Sequence, residues 1–153
     1  MQRLINGELT KIGDAEWAKL ASEQLAGAKS ARIGLLTAAC AQAITSGFQS
    51  SALGTVHTYP SQPADQQNLS AAVTASQLPQ LGGDPRWRVP FMCADKNRVW
   101  ARRPHTAIQI QQVGADAIAA ISMLLQKKDA LLAAVEAAQT PEAIDAVRWP
   151  TQS

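Results

Sequence analysis

Apolar positions change their period along the chain, and each change marks an element. Between residues 14 and 46 the pattern is helical, with Trp17, Leu20 and Leu25 first and then Ile33, Leu36, Cys40 and Ile44 at steps of three and four. That spacing predicts helix, opened by Asp14 as N-cap and stopped by Gly47. Gly27 and Gly34 each weaken it by up to about 1 kcal/mol relative to alanine, so the pattern divides into two segments with a joint near Gly27. Upstream, Leu4-Ile5 and Leu9 flank Asn6-Gly7, a short hairpin signal. After Gly47 the helical period is lost. Leu53, Val56 and Tyr59 stand among Ser, Thr and Gly, and Pro60 closes the stretch, which predicts a strand or hairpin over residues 48–59. Leu69, Val73 and Leu78 behind Asp65 restore the helical period to about Gln77, before Pro79. Residues 81–85, Leu-Gly-Gly-Asp-Pro, form a loop. Residues 87–93 and 99–102 then alternate on either side of Asp95-Lys96-Asn97-Arg98, which predicts two strands joined by a polar turn, with Trp87, Val89 and Phe91 inward and Arg86 and Arg88 outward.

The longest pattern starts at Pro104-His105-Thr106, with Thr106 as cap. Ile110, Gly114, Ala117, Ile121, Leu124, Lys128, Leu131, Val135 and Ala138 alternate steps of four and three, a heptad interrupted by Lys128. A continuous helix over residues 106–138 would be about 50 Å long, against a diameter of roughly 40 Å for a compact domain of this size. Two outcomes are open. The helix breaks near residues 126–129 into a helical hairpin, or it stays whole and projects Leu124, Leu131 and Val135 as an apolar stripe for another chain. Thr140-Pro141-Glu142 then caps a short helix over residues 142–148 that returns Trp149 to an apolar surface. The fold class expected is α+β, mostly helical, with a small antiparallel sheet and a long C-terminal helix or helical hairpin. Residues 1–27 form an N-terminal hairpin and helical extension, and residues 28–150 the main domain.

Composition sharpens this little. With 153 residues, 14 Lys+Arg and 12 Asp+Glu, the net charge is +2, too small a bias to point to nucleic acid or an anionic membrane. Nearly unbroken apolar runs such as residues 119–125 fall short of the eighteen or so residues of a membrane span, and residues 1–8 hold no apolar signal region. The expectation is a soluble protein kept in a reducing cytoplasm, with Cys40 and Cys93 as buried small hydrophobes rather than a disulfide or zinc pair. Trp87, Trp100 and Trp149 are expected to be structural, and Trp100 buried.

Catalytic chemistry finds no pattern to stand on. No His-Glu-x-x-His or Cys-x-x-Cys exists for a metal, no Gly-x-Ser-x-Gly elbow surrounds Ser50-Ser51, and Gly82-Gly83 opens no phosphate loop, so no catalytic, cofactor or metal set is expected. His57 in a strand and His105 at a helix start read as structural hydrogen-bonding groups. Arg86, Arg88, Lys96, Arg98, Arg102 and Arg103 with Trp87 and Trp100 could stack on single strands. Strand alternation makes them a solvated face instead.

The ordered short motifs carry a resemblance. Ser50-Ser51-Ala52-Leu53-Gly54, His57-x-Tyr59-Pro60-Ser61 and Asp65-Gln66-x-Asn68-Leu69 are followed by Pro90-Phe91-Met92-Cys93, Val99-Trp100 and Arg103-Pro104-His105-Thr106-Ala107. Gln109-Ile110-x-Gln112-Val113-Gly114-x-Asp116, Ala137-Ala138-x-Thr140 and Val147-x-Trp149 complete the series. Over residues 28–149 this resembles an uncharacterised domain family, a domain of unknown function, encoded beside tail fibres in phages and prophages. The resemblance implies a non-enzymatic tail-fibre component or tail-fibre assembly chaperone, placed in the bacterial host cytoplasm during assembly or in the virion tail. Its implied partner is a phage tail-fibre protein, with a homo-oligomer, a trimer by analogy with fibres, and neither membrane nor nucleic acid. His57, Asp65, Gln66, Asn68, His105 and Thr106 fall in the matching motifs as a candidate polar network, with no chemical role attached. Two departures stand out: residues 95–98 lack the glycine the family often has there, and residues 1–27 lie outside the resemblance. The alternative reading is a small-ligand binder or enzyme whose site combines His57, Asp65, Asn68 and His105.

Overall fold

The computed structural model describes residues 2–5, 8–11 and 13–151. In chain order the elements are β1 (Gln2–Ile5), β2 (Glu8–Lys11), α1 (Asp14–Thr45), β3 (Phe48–Ser50), β4 (His57–Tyr59), α2 (Pro63–Gln77), β5 (Val89–Ala94), β6 (Trp100–His105), α3 (Ala107–Ala137) and α4 (Pro141–Ala146). β1 and β2 pair antiparallel, the expected Asn6-Gly7 turn lying outside the described residues, and β3-β4-β5-β6 form an antiparallel four-stranded sheet. The fold is α+β, as the periodicities predict.

Local chemistry sets the boundaries. Gly47 ends α1 with φ +103°, and a side chain there would place Cβ 2.7 Å from the Tyr59 carbonyl oxygen, so both conformation and space demand glycine. Pro63 opens α2 where a missing N–H costs nothing, and the Asp65 carboxylate accepts from the Gln62 N–H at 3.0 Å. Thr106 and Gln109 cap α3 reciprocally: Thr106 Oγ1 accepts from the Gln109 N–H at 3.2 Å and Gln109 Oε1 from the Thr106 N–H at 2.9 Å. Thr140 Oγ1 accepts from the Ala143 N–H to start α4. In the β5–β6 turn, Asp95 Oδ1 accepts from the N–H groups of Asn97 and Val99. Arg98 there takes φ +61°, the left-handed conformation that a glycine would adopt without cost.

Two helices differ from the expectation. α1 is one uninterrupted helix of 32 residues, with no joint at Gly27, because a penalty of about 1 kcal/mol at one position is small beside the helical bonds on either side. α3 runs 31 residues without a break at 126–129, so the helical hairpin is excluded. α3 is also long and apolar enough, by length and composition, to cross a bilayer, with a mean hydropathy of 1.3 over its best window. Counting unbroken apolar runs alone misses this, since Gln and Gly interrupt the runs without adding charge.

The chain divides into two compact units, residues 1–38 with 128–153, and residues 39–127. Residues 1–27 fall in the first of these units, with the C-terminal segment. In the first unit, Leu36, Val135, Ala138 and Ile144 are buried together, with Leu25, Leu131 and Trp149 packed on them. Lys29 Nζ donates to the Glu136 carbonyl near the C-terminus of α3 at 2.6 Å, where an unpaired carbonyl and the helix dipole both favour a cation. Arg32 pairs with Asp145 of α4. In the second unit, Phe48, Tyr59, Phe91 and Cys93 from the sheet meet Leu69 and Ala72 of α2 and Ile110, Val113 and Ala117 of α3. Cys40 and Cys93 are both buried and free.

Candidate functional site

Strand register decides where the sequence-predicted polar residues go. Tyr59 pairs in line with Phe48, and β5–β6 pairing sets Val89 opposite His105 and Cys93 opposite Ala101. His57, Tyr59, Cys93, Arg103 and His105 thus share the sheet face that the core covers. Tyr59 and His105 have no solvent exposure, and Tyr59 Oη stands 2.9 Å from His105 Nε2. His105 Nδ1 lies 2.7 Å from the Arg103 carbonyl, which can only accept, so Nδ1 carries the proton and Tyr59 donates to Nε2. Burial holds the His105 imidazole below its ordinary pKa, against an opposing contribution from the Arg103 carbonyl. Burial likewise pushes the Tyr59 phenol well up, with the Cys93 thiol beside it adding to the effect. The pair is neutral at physiological pH.

Around that pair the remaining groups are committed to holding backbone. Arg103 donates to the Cys93 and Val99 carbonyls and pairs with Asp95 at 3.4 Å, cross-tying the β5–β6 turn. His57 Nδ1 meets the Thr55 carbonyl at 2.8 Å. Asp65 caps α2, Gln66 Nε2 donates to the Ser61 carbonyl, and Thr106 caps α3. Asn68 is exposed on α2 and borders a shallow recess with Asp65, Pro90, Met92 and Arg102. The six candidate residues therefore fall into separate devices: the helix caps of Asp65 and Thr106, the His105 pair with its neighbour His57, the Gln66 amide on the Ser61 carbonyl, and the surface amide of Asn68. Asp65 and Asn68 border that one recess, whose lining does not include His57 or His105. Among the described residues no buried side-chain nitrogen or oxygen lacks a hydrogen-bond partner, and no cluster of three or more metal-ligating side chains occurs.

The basic and aromatic positions separate in the same way. Arg86 pairs with Asp84, Arg88 donates to the Pro85 and Trp87 carbonyls, and Arg103 serves the turn. Trp87 packs on the core, but Trp100 is 51% exposed. Its expected burial is corrected by the register: Ala94 faces Trp100 and Met92 faces Arg102, so Trp100 shares the outer sheet face with Arg102 while Ala101 and Arg103 turn inward.

The expected stripe of Leu124, Leu131 and Val135 is likewise not a free surface. Val135 is fully buried and Leu131 packs beside it against Leu36 and Ile144, while Leu124 is half-buried and its carbonyl lies 3.6 Å from Cys40 Sγ. The chain's own helices cover what sequence alone left open. Instead, α3 exposes a different face: Ile108, Ile118 and Met123 are 79%, 70% and 70% exposed. Between this face and α2 lies a groove of about 540 Å³, walled by Ser70, Val73 and Thr74 on one side and Gly114, Ala115 and Ile118 on the other. None of the residues lining it carries a charge. Gly114 permits the close approach of the two helices at its floor, since a Cβ there would meet Val73 Cγ2 at 2.8 Å.

The family model for a domain of unknown function, DUF4376, matches residues 27–148. The chain belongs to the DUF4376 family. Neither the curated proteins nor the solved structures contain a match to it. Within this DUF4376 domain, sequence reasoning missed Tyr59 and Arg103 as partners of His105, the Cys93 thiol beside Tyr59, and the groove. A signal for the groove was present in the heptad spacing of residues 108, 111, 115, 118, 122 and 125, which runs beside the inward heptad of the same helix.

Proposed function

We propose that this DUF4376 chain is a non-enzymatic protein of phage or prophage tails, a small tail-fibre component or an assembly protein that binds the fibre chain. One observation carries the reading: the polar groups that could do chemistry are spent on caps, turns and a buried neutral pair, while α3 turns large apolar side chains and an uncharged groove to the outside. Apolar surface in that form suits association with another protein better than turnover of a polar substrate. The ordered motif series supports the phage side of the reading, and with it action in the bacterial host cytoplasm or in the virion tail.

Co-expression with a tail-fibre chain from the same phage or prophage tests this. The expected result is co-purification, or a rise in soluble fibre. A component then remains in purified particles, and a chaperone is absent from them. A fibre chain that neither binds the protein nor changes its solubility overturns the reading.

A further inference from the structure

We propose that a second copy of the chain docks on the outer face of α3, through a twofold antiparallel seam of Ile108, Gln111, Ala115, Ile118, Ser122 and Leu125. These positions advance by three, four, three, four and three residues, the spacing of a helical seam. Ile108, Ala115, Ile118 and Leu125 are exposed, while Gln111, bonded to Ser76 of α2, and Ser122 are partly buried. The seam lies on the face that the fibre reading also uses, and the inference differs from that reading in making a second copy of the chain the occupant.

Self-complementarity selects a copy of the same chain as the occupant. A twofold axis beside the midpoint of the stripe sets Ile108 of one copy against Leu125 of the other, Gln111 against Ser122, and Ala115 against Ile118. Every layer matches. The end layers join two large apolar side chains, and the central layer sets a projecting Ile118 against the small side chain of Ala115. In the polar layer Gln111 Nε2 already donates to Ser76 Oγ at 3.0 Å, which leaves the amide oxygen to accept the Ser122 hydroxyl of the other copy. Charge agrees as well. From Ala107 to Gln126 the sole charged residue is Asp116, which lies on the opposite side of the helix from Ile118 and holds Gln112 Nε2 at 2.8 Å. Two such faces meet without repulsion, whereas a charged partner would find nothing to pair with.

The expected strength follows from size. The seam is about 26 Å long, and with the groove beside it roughly 20 Å wide, so a dimer hides about 1,000 Å² in total, at the low end for specific interfaces. A reversible dimer in the micromolar range is expected.

Sedimentation of the full chain from about 1 to about 500 µM tests this, and should show a monomer–dimer equilibrium. Ile118→Glu should weaken it at least about a hundredfold, because a carboxylate would be buried in the central layer without a partner. At concentrations where wild type is monomeric, its melting temperature should match that of wild type, since Ile118 is exposed within one chain. Ala115→Arg combined with Ile118→Glu should restore the dimer. A wild-type monomer throughout overturns the proposal, as does a dimer that a folded Ile118→Glu variant retains. Recruitment to neutral phosphatidylcholine vesicles by a chain that stays monomeric in buffer overturns it in favour of a lipid surface.

Discussion

Tyr59 donates its phenol proton to Nε2 of His105 across 2.9 Å, with both side chains fully out of solvent. The bond joins β4 to β6 across β5, and Phe91 stands edge-on to the His105 ring on the same face. Removing the hydroxyl leaves His105 Nε2 buried without a donor. Tyr59→Phe should therefore cost about 1–3 kcal/mol in urea unfolding. A variant as stable as wild type would show that the bond contributes nothing.

Stability should also fall on mild acidification. Burial lowers the His105 pKa in the folded chain, so the unfolded chain takes up a proton first as pH drops through about 6.5. The stabilisation is complete above that value and is lost progressively below it. Asp95 extends the loss to lower pH, because its bond from the Val99 N–H, helped by Asn97 and Arg103, holds the carboxylate below its ordinary pKa. Urea midpoints at about pH 7.5 and 5.5 should differ in wild type and converge in His105→Gln. Equal slopes in the two proteins would contradict this.

Glycine substitutions should divide by environment. At Gly27 and Gly34 a Cβ meets nothing within 4 Å, so alanine at either site should stabilise α1 by about 0.5–1 kcal/mol. Gly47→Ala should destabilise, having both a positive φ and the Tyr59 carbonyl against it. In the β5–β6 turn the opposite change helps: Arg98→Gly should gain up to about 1 kcal/mol by relieving the left-handed backbone at φ +61°. Thermal melts of the four variants check the signs, and a destabilising Gly27→Ala would mean that α1 is not continuous there.

Trp100→Ala should cost less than about 1 kcal/mol, since the indole is half exposed, whereas Leu36→Ala should cost about 2–5 kcal/mol as a cavity in the first unit's core. Comparable losses in both would mean that Trp100 is buried in solution.

Much of this architecture is legible in the sequence because local chemistry decides it. Gly47, Thr106 and Thr140 mark helix ends by what their backbone or side chains permit, and the polar run from Asp95 to Arg98 marks the hairpin, whereas α2, expected from about Asp65, begins at Pro63. Partner choice is not local. Leu131 and Val135 have the spacing of an exposed seam, and only the packing of Leu36 and Ile144 on them removes it from the surface. The alternation through Trp100, Ala101 and Arg102 is readable, but which alternate faces water depends on the buried His105 at the end of the strand. The candidate polar residues were legible as hydrogen-bonding groups and not as separate devices, because caps and sheet-face pairs use the same residue types as a ligand site.

The division of labour between a structural polar pair and a working apolar face is tested most directly by one comparison. Wild type and His105→Gln, both at a temperature where each remains folded, are measured for capture of the tail-fibre chain. The account predicts a lower melting temperature for His105→Gln with undiminished capture. Loss of capture by the folded variant, with wild type still binding, would contradict it by making the buried pair part of the working site.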